Sequence, residues 1–327
     1  GTQNDIENAQ SIRDTYRTDA DKVLRTLMEQ AQRRVGSAGL LAGMRCVRLL
    51  GQGSTGQVWQ VEIEKTGEQM ALKIMQPQTD GVYVERELFR REVHYAGHLH
   101  HPNIAKYIQC GQGGDACCML SEYCDGGNLE QYMRNAGGKL GVAAAVHILF
   151  QLLDALIYAH SAQISAKLKT GTSSTTGVVH RDIKPSNIVL TGDSEAPTVK
   201  VTDFGLAKAF ETAGDSGYTI GDRRRGTPEF MPRQQAESYL YAKPEVDVWA
   251  AAATFYYMLT GAYPKNFPPG VDRFDVVRTQ NAIPIRERGV ALPDRLAEAV
   301  DRALIDAPQI VVQSAAEWKR LIGEALS

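Results

Sequence analysis

Cysteine is scarce in this chain. Five occur in 327 residues, at Cys46, Cys110, Cys117, Cys118 and Cys124. Their spacing matches no zinc site, and the odd number argues against a disulfide framework. A reducing, cytoplasmic setting is therefore expected. Charge of either sign is not in surplus: 36 Lys and Arg face 38 Asp and Glu, a net −2. That balance argues against a nucleic-acid binder or a polybasic membrane binder. Uninterrupted apolar runs of membrane length are also missing. The nearest approach, 142–159, is broken by His147, Gln151 and Asp154. It reads as a buried helix of a soluble fold, and no membrane contact is expected from this segment. No signal-peptide pattern is visible.

What remains is globular composition, with 43% apolar and 23% charged residues, which excludes wholesale disorder. The length predicts two domains, or one domain of two lobes. Three regions follow from the patterning. Residues 1–44 are polar with a sparse apolar stripe, as in a helical extension or linker. Residues 45–124 hold short β-prone runs at 46–50, 58–64, 70–75, 104–110 and 117–123, with one helical stretch at 85–99 stopped by His101-Pro102-Asn103. Residues 125–327 turn helical, over 129–135, 142–160, 246–260, 274–279, 293–305 and 315–326. The loop-rich stretch 178–233 between them is too long to be idle.

Four short runs carry chemistry. Gly51-Gln52-Gly53-Ser54-Thr55-Gly56-Gln57-Val58 lets the backbone approach phosphate and offers unhindered N–H donors. Alone it is equally well a glycine-rich hairpin turn. Ala71-Leu72-Lys73-Ile74 places a lysine 17 residues after Gly56, on a neighbouring strand. An exposed strand face is the ordinary reading of such a lysine. A phosphate-binding lysine needs a carboxylate to hold it, and Glu92 is the candidate, with Glu85 and Glu87 as solvated alternatives. His180-Arg181-Asp182-Ile183-Lys184-Pro185-Ser186-Asn187 and Asp203-Phe204-Gly205 complete the set. Phosphoryl transfer from ATP needs a carboxylate near the attacking hydroxyl, oxygen ligands for magnesium and cations on the phosphate. These runs supply all three, in one order.

With these motifs the chain resembles a eukaryotic-like serine/threonine protein kinase, most similar to bacterial members, over about 45–327. The resemblance implies an α+β, two-lobed fold: a β-rich N-lobe with one regulatory helix at 45–124, and a mostly helical C-lobe at 125–327. It implies Mg-ATP as phosphate donor, with Mn2+ as an alternative ion, and Ser or Thr hydroxyls of proteins as acceptors. Gly51, Gln52, Gly53, Ser54 and Gly56 would cover the phosphates. Lys73 would hold them and pair with Glu92. Asp182 would orient the acceptor hydroxyl and take its proton, Lys184 would stabilise the γ-phosphate, and Asn187 and Asp203 would hold the metal. Val58, Ala71 and Val189 would sandwich adenine, with Ser121 as a small residue at the gatekeeper position, Glu122 and Cys124 at the hinge, and Asn128 just beyond it. Asp247 would anchor the catalytic-loop backbone; an ordinary helix-start charge is the alternative. His180, Phe204, Ala96 and Tyr107 would form a stack. Lys184 favours Ser/Thr acceptors over tyrosine, and Asn128 and Ser186 stand where arginine-directed members carry glutamates.

The same resemblance implies regulation. Arg181 would meet a phosphate on the segment after Asp203, with Thr219 the favoured autophosphorylation site, reached by self-association in trans. Thr227, in Gly226-Thr227-Pro228-Glu229, would contact Asp182 and Lys184. Two departures stand out. The family's glutamate at the end of this segment is replaced by Gln234, and Val311 occupies the place of its arginine partner. Loss of both avoids an unpaired buried charge. Residues 161–177 form an insertion in which eight of 17 are Ser or Thr. It reads as a flexible surface loop, with phosphorylation or partner binding as sharper alternatives.

Overall fold

The computed structural model describes residues 43–53, 56–75, 97–113, 116–168, 171–204, 226–238 and 243–327. These fall into two compact units. Among the described residues, the first comprises 43–75 and 106–123, and the second 97–105 and 124–327.

The first unit is an antiparallel sheet of β1 (Met44–Gly53), β2 (Gly56–Ile63), β3 (Gln69–Met75), β4 (Tyr107–Gly113) and β5 (Ala116–Glu122). Its order is β1-β2-β3-β5-β4. Period-two alternation sorts the side chains onto two faces. Trp59, Val61, Met70, Leu72, Ile74, Cys118 and Leu120 form the buried apolar face. Cross-strand register places Val58, Lys73 and Met119 side by side on the other face, followed by Gln60, Ala71 and Ser121. The expected strand at 104–110 begins only at Tyr107, because Ile104 instead bridges to Val201 in the second unit.

The second unit is built on α1 (Leu129–Asn135), α2 (Val142–Ser161), α3 (Arg233–Glu237), α4 (Pro244–Thr260), α5 (Arg273–Thr279), α6 (Asp294–Ala303) and α7 (Ala315–Leu326). In α4, 13 residues from Val246 to Leu259 are buried, so this helix is the hub of the core. It ends at Gly261, where φ is +71° and an added Cβ would lie 3.1 Å from the Gly138 carbonyl oxygen. Helix α2 is long and apolar enough to cross a membrane by length and composition. Here it buries Ile148, Leu149, Leu152, Leu153 and Leu156 in the core. Its polar interruptions are used: Gln151 accepts from Asn103 Nδ2 and Val199 N–H at 3.0 Å each, and Asp154 meets Lys319 at 2.5 Å.

The insertion at 161–177 is not a plain loop. It forms a hairpin, β6 (Gln163–Leu168) with β7 (Gly171–Thr176). The Thr/Ser-rich run has the β-branched content that strands favour. Gly177 closes the base with φ +82°, where a Cβ would sit 2.6 Å from the His160 carbonyl oxygen. A second hairpin, β8 (Ile188–Thr191) with β9 (Thr198–Val201), lies inside the stretch expected to be loops.

Candidate active site

The β8–β9 hairpin explains how residues 16 apart in sequence come together. Ile188 pairs with Val201, so Asn187 and Asp203 flank the same end. Thr202 N–H donates to the Asn187 carbonyl at 3.0 Å. Asp182 sits beside this end. Asn187 Nδ2 donates to the Asp182 carbonyl at 2.8 Å and to its Oδ2 at 3.2 Å. Both amide donations point at acceptors, which turns Asn187 Oδ1 away as the remaining acceptor. Lys184 Nζ lies 2.8 Å from Asp182 Oδ2, and Thr227 Oγ1 donates to Oδ1 at 3.0 Å. Lys184 also donates to Thr227 Oγ1 at 2.8 Å. Asp182, Lys184, Asn187 and Thr227 are thus one hydrogen-bonded group.

Beneath it the backbone is held by a buried carboxylate. Asp247 is fully buried and accepts the N–H groups of His180 and Arg181, each at 2.7 Å, and His160 Nε2 at 2.8 Å. Burial pushes its pKa up, but the hydrogen bond and charge of His160, with the charge and N–H of His180, outweigh this and leave it below the ordinary aspartate range. This arrangement goes beyond a helix-start charge. His180 is held at both ring nitrogens: Nδ1 accepts Asp182 N–H at 3.2 Å, and Nε2 lies 2.7 Å from the Thr202 carbonyl oxygen. Its ring packs edge-on against Phe204 at 4.7 Å. Arg181 and Asp203 both take positive φ, 66° and 64°. Non-glycine residues in this region are uncommon, and both flank the group.

The other expected site residues divide as follows. Val58, Ala71, Lys73 and Ser121 share the sheet face opposite the core, and Lys73 is 5% exposed. Gly51, Gln52, Gly53 and Gly56 lie at the β1–β2 turn. Glu122 binds Lys106 through its N–H and its carboxylate. In the second unit, Asn128 bridges to Val189, and Gly126 N–H donates to the Leu190 carbonyl at 2.9 Å, which seats the chain after Cys124 against β8. The Asn128 side chain is occupied locally: it accepts Gln131 N–H at 2.9 Å as the cap of α1. Arg181 is buried. Glu92, Ala96, Ser54 and Thr219 lie outside the described residues.

Two supporting residues escaped the sequence reading. His160 belongs to no motif; its position at the end of a core helix carried no signal. Gln235 Nε2 donates to the Arg181 carbonyl at 2.6 Å, next to Asp182.

The sequence matches the protein kinase domain family over residues 44–286. The chain belongs to that family. It is 32% identical over 225 residues to the probable serine/threonine-protein kinase pknA2 of Bifidobacterium longum, covering 67% of this chain and 27% of that protein. It is 33% identical over 217 residues to the serine/threonine-protein kinase ppk25 of Schizosaccharomyces pombe, covering 66% and 46%. The chain therefore spans less than half the length of these relatives. The solved kinase domain of Mycobacterium tuberculosis PknI is similar with a TM-score of 0.58 and 25% identity, covering 87% of this chain and 96% of that one. The fold is the two-lobed α+β protein kinase fold, with a five-stranded sheet unit and a helical unit.

Proposed function

We propose that this chain is a serine/threonine protein kinase that moves the γ-phosphoryl group of Mg-ATP to a Ser or Thr hydroxyl of a protein. The observation that carries the reading is the Asp182 carboxylate, held between Lys184, Thr227 and Asn187. The names of its relatives support the acceptor class.

The acceptor oxygen attacks the γ-phosphorus, the bond to the bridging oxygen of ADP breaks, and the hydroxyl proton passes to Asp182. Lys184 supplies positive charge where the transferred phosphoryl group is most negative. Lys73 would hold the ATP phosphates. Magnesium keeps several waters and takes only one or two protein carboxylates beside phosphate oxygens. Asn187 Oδ1 and Asp203 would hold it, or manganese, and bound there it would neutralise phosphate charge. Activation would follow from Thr219 phosphorylation in trans between two copies, the phosphate meeting Arg181.

Transfer from radiolabelled ATP to an added protein, with wild type beside Asp182→Asn and phosphosites mapped, tests this. Label from wild type alone, with self-label centred on Thr219, supports the proposal. Nucleotide binding with no Asp182-dependent transfer points to a nucleotide-binding scaffold. Transfer only to small molecules overturns the protein-substrate class.

A further inference from the structure

The segment bearing Thr227 ends in a buried charged junction. Lys265, in the turn after α4, and Asp306, after α6, are each 1% exposed, and their Nζ and Oδ2 lie 2.8 Å apart. Lysine and aspartate rarely lie so deep. A buried ion pair adds little stability over an apolar pair of similar volume. Its neighbours indicate what else it does.

Asp306 Oδ2 also accepts the N–H of Arg233, the first residue of α3, at 3.0 Å. Pro232 precedes this helix and offers no side-chain acceptor, so the acceptor comes from 73 residues away. The Asp306 carbonyl accepts Gln234 Nε2 at 2.6 Å. Arg233 Nη2 lies 3.7 Å from Asp306 Oδ1 and donates to the Gln280 carbonyl at 3.1 Å. Lys265 is itself fixed: Nζ donates to the Val277 carbonyl at 3.0 Å and lies 5.1 Å over the Trp249 ring. Farther along α3, Gln235 reaches the Arg181 carbonyl. One short helix therefore ties the Lys265–Asp306 pair to the backbone beside Asp182, six residues after Thr227.

We propose that the buried Lys265–Asp306 pair is a positioning device that holds residues 226–238 so that Thr227 meets Asp182. It does the work expected of the family's carboxylate–arginine pair, whose places are taken here by Gln234 and Val311. Val311 is exposed at the surface. The catalytic consequence rests on the kinase reading; the holding of the segment does not.

Removing Asp306 alone would strand Lys265 as a buried cation and unfold the region. The test is therefore the double variant Lys265→Met/Asp306→Leu of the full chain, which removes both charges of the pair together and leaves Arg233 on the Gln280 carbonyl and Asn281 Oδ1. Amide exchange over 226–238 and steady-state transfer to a protein acceptor are measured beside the thermal midpoint. With the midpoint near wild type, exchange over 226–238 should accelerate about tenfold, as expected for one lost charge-assisted hydrogen bond. The kcat/KM for the protein acceptor should fall by a similar factor, with KM for ATP unchanged. Native exchange over 226–238 overturns the proposal. Faster exchange with native kcat/KM overturns its catalytic part. Should the double variant fail to fold, the swapped pair Lys265→Asp/Asp306→Lys keeps the ion pair but removes the acceptor for Arg233 N–H, and the same readouts decide. If wild type transfers no phosphate, the kinase reading falls, and exchange alone decides whether the pair holds the segment.

Discussion

Thr227 Oγ1 donates to Asp182 Oδ1 at 3.0 Å, and Lys184 Nζ lies 2.8 Å from both residues. The hydroxyl is donor to one and acceptor to the other. Thr227→Val keeps the shape and removes both bonds. Each hydrogen bond to a charged group is worth about 1.5–3 kcal/mol. Phosphoryl transfer by Thr227→Val should fall by roughly 10- to 100-fold, while Thr227→Ser, which keeps the hydroxyl, should stay close to wild type. Equal activity in the valine and serine variants would show that the hydroxyl is dispensable.

Asp247 gives a pH prediction. Its folded pKa lies below the ordinary aspartate range, so the unfolded chain binds the proton more readily. The resulting stability is fully present above the unfolded value and is lost as pH falls through the folded one. The denaturant midpoint of wild type should hold from neutral pH down to about pH 4 and drop below it. Asp247→Asn turns an N–H group toward donors that now meet a carboxylate, and should cost about 3–5 kcal/mol near neutral pH, with a shallower acid slope. Denaturation curves across this range check it; an unchanged slope in the variant would assign the acid loss elsewhere.

The legibility of this chain in its sequence follows how local each constraint is. Asp182, Lys184 and Asn187 are neighbours in one run, and the structure joins them. Val58, Ala71, Lys73 and Ser121 share a face because period-two alternation and register are written into three adjacent strands. Apart from α3, which was not expected, the helices of the second unit match their predicted spans to within a few residues, and Asn128, Asp272 and Ser314 cap three of them with short-range signals. What was hidden is non-local. The β8–β9 and β6–β7 hairpins lack strong apolar alternation and read as loops. His160, Gln235, Lys265 and Asp306 act through partners 41 to 87 residues away. No local pattern marks such pairs; the packing of α2, α3, α4 and α6 brings them together.

Ser121 lies opposite Ala71 on β3, and both are small. Both present small side chains on the sheet face shared with Lys73. Purine-like inhibitors with a bulky exocyclic group should therefore inhibit wild type, and Ser121→Met should refuse them. Overpacking costs about 1–3 kcal/mol, so the inhibition constant should rise roughly tenfold while KM for ATP changes little. Inhibition that ignores the methionine would mean that Ser121 does not face the purine.

The hairpin β6–β7 should be removable. Its ends are already joined: Gly177 N–H donates to the Ala162 carbonyl at 2.8 Å, and Val178 N–H to that of Ala159 at 2.8 Å. Replacing 163–176 by two glycines keeps both anchors, and Gly177 must stay because its φ of +82° and the His160 carbonyl leave no space for a Cβ. Among the described side chains of the hairpin, the buried apolar loss is Ile164, 1% exposed, worth about 1.5–3 kcal/mol. The shortened chain should melt at a lower temperature yet transfer phosphate at a rate within about twofold of wild type, since surface insertions carry little of the scaffold. His160 and His180 keep their bonds to Asp247 in that arrangement. A shortened chain that folds but no longer transfers phosphate would give the hairpin a part in acceptor binding. Self-label lost with normal transfer to an added protein would place autophosphorylation on its Ser and Thr residues.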